Sequence, residues 1–125
     1  MIGVLDVDGL KAVDLATRAS TLPAGATLSE LRAYFAASAS RRLALIVDGD
    51  RYVGSIAREH VPDGVEAIAG DLAQREPVIE ASRPAREARD VALESPSARL
   101  PVIDEHGTLV GIVAVNRDRD GFCGT

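Results

Sequence analysis

An α+β fold, made of two β-α-β-β copies in tandem, is what this chain of 125 residues predicts. Three observations carry the reading: an internal repeat at fixed spacing, an apolar helical stripe in each copy, and a tight hairpin closing each copy. The repeat comes first, because self-similarity decides architecture before any motif does. Gly111 lies 57 positions after Gly54, and that shift aligns "RRLALIVDGDRYVGSIA" from Arg41 with "ARLPVIDEHGTLVGIVA" from Ala98. Without a gap it also pairs Leu15 with Leu72, Arg18 with Arg75, Glu30 with Glu87, Arg32 with Arg89, and Ser38 with Ser95. It then pairs Arg42-Leu43 with Arg99-Leu100, Ile46 with Ile103, Val53 with Val110, and Ala57 with Ala114. Chance accounts for alanine matches in an Ala-rich chain, but not for one register kept through helices and hairpins. The copies divide at 62/63: an N-terminal arm and first repeat over 1–62, then the second repeat over 63–125, forming one tandem module.

Each copy opens on a short strand, "STLP" in the first and "EPVIE" in the second. A helix follows. In "TLSELRAYFAAS" the residues Leu28, Leu31, Tyr34 and Phe35 fall on one side at helical spacing. Thr27 and Glu30 have the spacing of a capping box, which satisfies free amides at a helix start. In the second copy Pro84 sits near the first turn, where its missing N–H costs little, and the stripe is Ala85, Ala88, Val91 and Ala92. Small residues there permit close helix packing, either across a dimer surface or into the protein's own core; Ala is also the best helix former. Both copies end in apolar runs folded back on themselves, over Asp48-Gly49 in one and His106-Gly107 in the other. Gly54 and Gly111, inside the returning strands, either admit a close backbone or ligand or simply bend the chain. A three-stranded copy has too little apolar surface to be stable alone, so the two must share a core.

Composition narrows the function. A formal net charge of −5 argues against a general nucleic-acid binder. Among the 14 basic residues all but Lys11 are Arg, whose planar fork suits phosphate, although GC-rich coding gives the same bias. The one cysteine, Cys123, leaves no intrachain disulfide and no multi-cysteine metal site. No apolar run approaches a membrane span and no leader pattern precedes the first copy, so a cytoplasmic protein is expected.

"VLDVDGL" raises the one catalytic possibility, because Asp-x-Asp-Gly after an apolar run is how haloacid-dehalogenase-type phosphotransferases present a nucleophile. Asp6 would attack phosphorus and Asp8 would move the proton. That chemistry needs further partners on later strands: a cation for the phosphoaspartate, a hydroxyl for the phosphate, and another acid for Mg²⁺. The only lysine, Lys11, is three residues from Asp8, and the duplication occupies the rest of the chain. The motif reads as an arm leading into the first copy, and no enzyme is expected.

"VDLATR" and "GDLAQREPV" resemble the opening of the CBS domain (named for cystathionine β-synthase), an Asp-hydrophobic-Met-Thr-Arg-x-Pro-Val pattern. "LPVIDEHGTLVGIV" is similar to that family's hairpin, so the second copy matches strongly and the first moderately. The resemblance covers nearly everything after Leu10. It implies two repeats packed by pseudo-twofold symmetry, with clefts between them that hold AMP, ATP or S-adenosylmethionine. It further implies homodimers formed through helices and action on an unidentified regulated protein; from the acidic charge and the lack of a long apolar run, neither nucleic acid nor membrane is expected as a partner. Carried onto this chain, it gives Thr21, Ala57, Arg58, His60, Val78, Pro101, Ala114, Arg117 and Asp118 as ligand-binding candidates. In the family, the strand-end Gly is followed at fixed spacing by Thr or Ser and then Asp, which bind phosphate and ribose. Here "GSIAREH" has Ala57 and His60 at those places, and "GIVAVNR" has Ala114 and Arg117, with Asp118 one residue beyond. A regulatory module sensing an adenosine-containing ligand is therefore expected. The alternative is a dimerisation or interaction module whose nucleotide sites have decayed. After "NRDRDGFCGT" a closing helix is expected to be short or absent.

Overall fold

The computed structural model describes residues 9–39, 41–62, 67–74, 77–95 and 97–115. Asp6, Asp8, Arg117, Asp118, Cys123 and the expected chain-end helix fall outside them. In chain order the elements are α1 (Ala12–Leu15), β1 (Thr21–Pro23), α2 (Leu28–Ala36), β2 (Leu43–Asp48), β3 (Arg51–Ala57) and a 3-10 turn over Arg58–His60. Then come α3 (Ala69–Leu72), β4 (Ile79–Glu80), α4 (Ala85–Glu94), β5 (Arg99–Ile103) and β6 (Leu109–Ala114). The strand-helix-strand-strand order appears twice, as the repeat predicts.

The chain forms two compact units. One is continuous, Ser20–Glu76; the other is discontinuous, joining Met1–Ala19 to Pro77–Thr125. Each contains a three-stranded sheet, ordered β1-β2-β3 in the first and β4-β5-β6 in the second. The opening strand runs parallel to the middle one, which is antiparallel to the last. Each short opening helix lies in the unit that holds the other repeat's strands. Its anchoring hydrogen bonds are the same in both: Ala12 N–H donates to the Arg83 carbonyl at 2.7 Å, and Ala69 N–H to the Ala26 carbonyl at 2.8 Å. Val13 and Gly70 likewise donate to Ala81 and Ala24, at 3.1 and 2.7 Å.

The core of the continuous unit joins Leu28, Leu31 and Phe35 from α2 to Ala44, Ile46 and Ile56 from the sheet and Ala69 from α3. In the discontinuous unit Ala88 and Ala92 from α4 meet Leu100, Val102 and Val113, with Ala12 from α1. Bulk missing from one helix is supplied by the facing strand. Close-packed interiors demand that trade. It also settles the alanine stripe: Ala85, Ala88 and Ala92 are fully buried, and the last two belong to their own unit's core rather than to an outward dimer surface.

The ungapped register needs one correction. Ile46 faces Gly54 across the first hairpin, whereas Val102 faces Gly111 across the second. Leu22 lies beside Ile46 in the first sheet, and its repeat mate Ile79 lies beside Val102. Ile46 therefore corresponds to Val102, not to Ile103, and Ala44 corresponds to Leu100. Side chains alternate between faces, so a one-residue slip would turn the core positions outward. The second copy absorbs the slip in its connections. Ala98, which leads into β5, adopts a left-handed φ of 56°, and the turn before β6 gains length. In that turn Asp104 Oδ1 accepts from the amides of His106 at 2.8 Å and Thr108 at 2.9 Å.

The predicted helix start holds in part. Thr27 Oγ1 accepts from the Glu30 amide at 3.2 Å, but the Glu30 carboxylate takes the Thr27 hydroxyl rather than its amide. At α4 the cap comes from elsewhere in the chain, the Leu10 carbonyl accepting from the Ala85 amide at 2.9 Å.

Two tests follow from these contacts. Ala88→Leu, overfilling a site with no exposure, should destabilise the protein by about 1–3 kcal/mol in urea unfolding. The Asp104 carboxyl is held below its ordinary 3.8, chiefly by the Thr108 amide and also by those of His106 and Gly107. Depressing a carboxyl's pKa on folding adds stability above the unfolded value, and protonation removes it. The stability gap between wild type and Asp104→Ala should thus be full near neutral pH. It should shrink as pH falls below about 4, measured as urea midpoints across that range.

Candidate functional site

The returning strands β3 and β6 end the two sheets, and an uncovered edge would present unpaired amides and carbonyls. In the continuous unit, Ser55 and Gln74 exchange two backbone hydrogen bonds, both at 2.9 Å. In the discontinuous unit, Ile112 and Thr17 do the same, again at 2.9 Å. The crossing backbone passes so near that a Cβ on Gly54 would lie 2.8 Å from the Gln74 carbonyl oxygen. On Gly111 it would lie 2.6 Å from that of Thr17. This decides why both glycines are there: each admits a neighbouring backbone, and neither has the positive φ that would bend the chain.

The sequence-predicted residues divide between the units. Thr21 opens β1 and is exposed; Ala57 ends β3, half-buried; His60 ends the 3-10 turn, exposed. Thr21 and Ala57 are on the two outer strands of one sheet, with β2 between them. Val78 is 38% exposed ahead of β4, whereas Pro101 is buried in β5 and Ala114 nearly so at the end of β6. Arg58 is strongly engaged. Its Nε donates to the Arg41 carbonyl at 2.7 Å and its Nη2 to the Phe35 carbonyl at 2.8 Å, with the Ser38 carbonyl a third acceptor.

Beside it stands a basic-aromatic cluster that pattern reading did not single out. The Arg41 guanidinium sits 4.2 Å above the Tyr34 ring and donates to the Tyr34 carbonyl at 2.7 Å. Tyr34 meets Phe35 edge-to-face at 5.4 Å. Burial pushes the Tyr34 hydroxyl's pKa above 10.0, and the Arg41 charge opposes that. A second missed residue is Ser55, buried at 1% exposure with no hydrogen-bond partner for its Oγ among the described residues. The signal for it was a serine at a position where the other copy has Ile112.

A cavity of about 510 Å³ opens between Gly9–Leu10 and α4, lined by Arg86, Glu87, Asp90 and Val91, and none of the predicted ligand residues among those described lines it. Among the described residues no group of three or more His, Cys, Asp or Glu could hold a metal ion.

The comparisons with known proteins bear on the second repeat by sequence and on the whole chain by fold. The model of the CBS domain matches residues 69–116, which contain α3, β4, α4, β5 and β6. Residues 69–116 are a CBS domain, and the chain has the fold of a CBS domain pair. Its CBS fold recurs in the CBS pair domain of the putative Mg2+ transporter from Shewanella oneidensis MR-1. That structure is 22% identical with a TM-score of 0.75; the match covers 83% of this chain and 64% of the other. The transporter domain is thus longer than the portion shared here. Hypoxic response protein I, with two coordinated zinc ions, is 25% identical at a TM-score of 0.70, covering 83% of this chain and 92% of that one. CBSX2, from Arabidopsis thaliana, has been solved in complex with AMP. That complex is 20% identical at a TM-score of 0.69, covering 89% of this chain and 93% of the other. No curated protein sequence matches the chain.

The CBS repeat is thus a unit of sequence, and the compact body a unit of space. The matched repeat begins in α3, which packs in the continuous unit. Replacing Gly111 with Ala should cost about 1–3 kcal/mol, since the obstruction is backbone rather than a flexible side-chain end. Gly54→Ala, with slightly more room, should cost less; urea unfolding of the two variants side by side checks the order.

Proposed function

We propose that the chain is a regulatory module that binds an adenosine-containing small molecule, AMP, ATP or S-adenosylmethionine, and acts through a partner protein or its own dimer. In this reading the repeats over 1–62 and 63–125 work as one tandem module. The observation that carries it is the CBS fold, which CBSX2 shares in its complex with AMP. The candidate contacts are Thr21, Ala57, Arg58 and His60 from one repeat and Val78, Pro101, Ala114, Arg117 and Asp118 from the other. The module is regulatory rather than catalytic, and cytoplasmic. No helix among the described residues is long and apolar enough to cross a membrane.

A second reading is favoured by specific residues. Ala57 and His60 supply neither the hydroxyl nor the carboxylate that a ribose and phosphate require, and Ala114 and Arg117 repeat the loss. Charge-assisted hydrogen bonds to a buried ligand contribute roughly 1.5–3 kcal/mol each, so the departures weaken any nucleotide site. On this view the chain dimerises or docks without a ligand.

Thermal unfolding separates the two. A ligand bound only by the folded state, at about ten times its Kd, adds about 1.4 kcal/mol and raises the melting temperature by a few degrees. Such a rise with millimolar AMP, ATP or S-adenosylmethionine is the expected result. An unmoved transition across all three, with a stable dimer in light scattering, overturns the sensing reading in favour of the docking one.

A further inference from the structure

In the continuous unit one side chain joins the end of β3 to the end of α2. Phe35 is the next-to-last residue of α2, and Ser38 and Arg41 lie on the connection to β2. Their three carbonyls all accept from Arg58, and its guanidinium carbon lies 5.1 Å from the Phe35 ring centroid. The last carbonyls of a helix have no intrahelical donor and carry its negative end, so a fixed cation there is an effective cap. The Arg58 backbone adds a further tie, its amide donating to the Arg42 carbonyl at 3.0 Å. The other repeat is built differently. Val115, buried in its core, stands at the corresponding place and its amide donates to the Ala98 carbonyl at 2.9 Å. There Arg99 approaches from the strand side, donating to the Val115 carbonyl at 3.1 Å.

Arg58 also belongs to the 57–60 segment, where the CBS resemblance puts the ligand candidates Ala57, Arg58 and His60. We infer that Arg58 is a positioning residue that couples the 57–60 segment to the last turn of α2. A shift of that segment carries the guanidinium away from the carbonyls it caps, and the helix end loosens. The trigger rests on the ligand-binding reading; the mechanical link belongs to the ligand-free chain and is testable without it.

Amide hydrogen exchange on the intact chain reads both. Without ligand, Arg58→Met should speed exchange at residues 35–37 about tenfold or more, the scale set by losing charged hydrogen bonds. The hairpin amides around Leu45 should keep their protection. Arg58→Lys, a point charge without the planar fork, should restore part of the effect. An unchanged helix end in Arg58→Met, or an equal acceleration throughout the unit in both variants, overturns the link. With millimolar AMP, wild type should change its exchange at both 57–60 and 35–37. If AMP alters 57–60 in wild type but leaves 35–37 untouched, the coupling is wrong and the ligand reading stands. If AMP alters neither, the ligand reading fails, and the ligand-free comparison still decides the link.

Discussion

An exposed edge strand is an open row of hydrogen-bonding groups, and the whole arrangement follows from how these edges are closed. β3 is closed by Gln74 and β6 by Thr17, each through a reciprocal pair of backbone hydrogen bonds. Backbone can approach that closely only where the strand has no Cβ, which fixes glycine at 54 and 111. The closing segment in each unit comes from the opening of the other repeat. Neither repeat can therefore satisfy its own outer strand. This gives a structural reason for the duplication to persist as a pair: removing one copy strips the other of its cover, its short helix and the hydrogen bonds of Ala12 or Ala69. A small three-stranded sheet has little stability to spare for such a loss.

Much of this was legible in the residues. The 57-residue spacing gave two copies of one plan, Gly49 and Gly107 marked the two turns, and Thr27 marked a helix start. The alternatives left open for Gly54 and Gly111 could not be resolved from sequence, because close approach involves residues distant along the chain. The strand register misled for a different reason. Identity between Leu43 and Leu100, or Ile46 and Ile103, says nothing about which face a side chain takes. Both neighbours of a core position here are apolar, so the pattern lacks the polar alternation that pins a strand. Only the ladders show that Ile46 answers to Val102. The alanine stripe of α4 was ambiguous because small residues serve an interface and a tight core equally well.

The candidate site was the least legible part. Its residues are known by position in a pattern, and the structure shows those positions behaving unlike one another. Arg58 is held by carbonyls, His60 and Val78 face solvent, and Pro101 is buried. The copies have also diverged around the strand end. Ser55 in one is Ile112 in the other, and Arg58 is answered by Val115. Equal folds with unequal strand ends make two pockets of one chemistry an unsafe assumption.

The exchange of bulk between helix and sheet has a historical implication. Leu31 stands with Ala44 in one core, and Ala88 with Leu100 in the other. If both descend from one ancestral unit, at least one lineage had to change the helix residue and the strand residue together. Between those two changes lies either a hollow or a clash, each of which lowers stability. Descent through such intermediates requires stability held in reserve elsewhere in the chain. Paralogues of this chain should accordingly differ at these positions in correlated pairs, not singly.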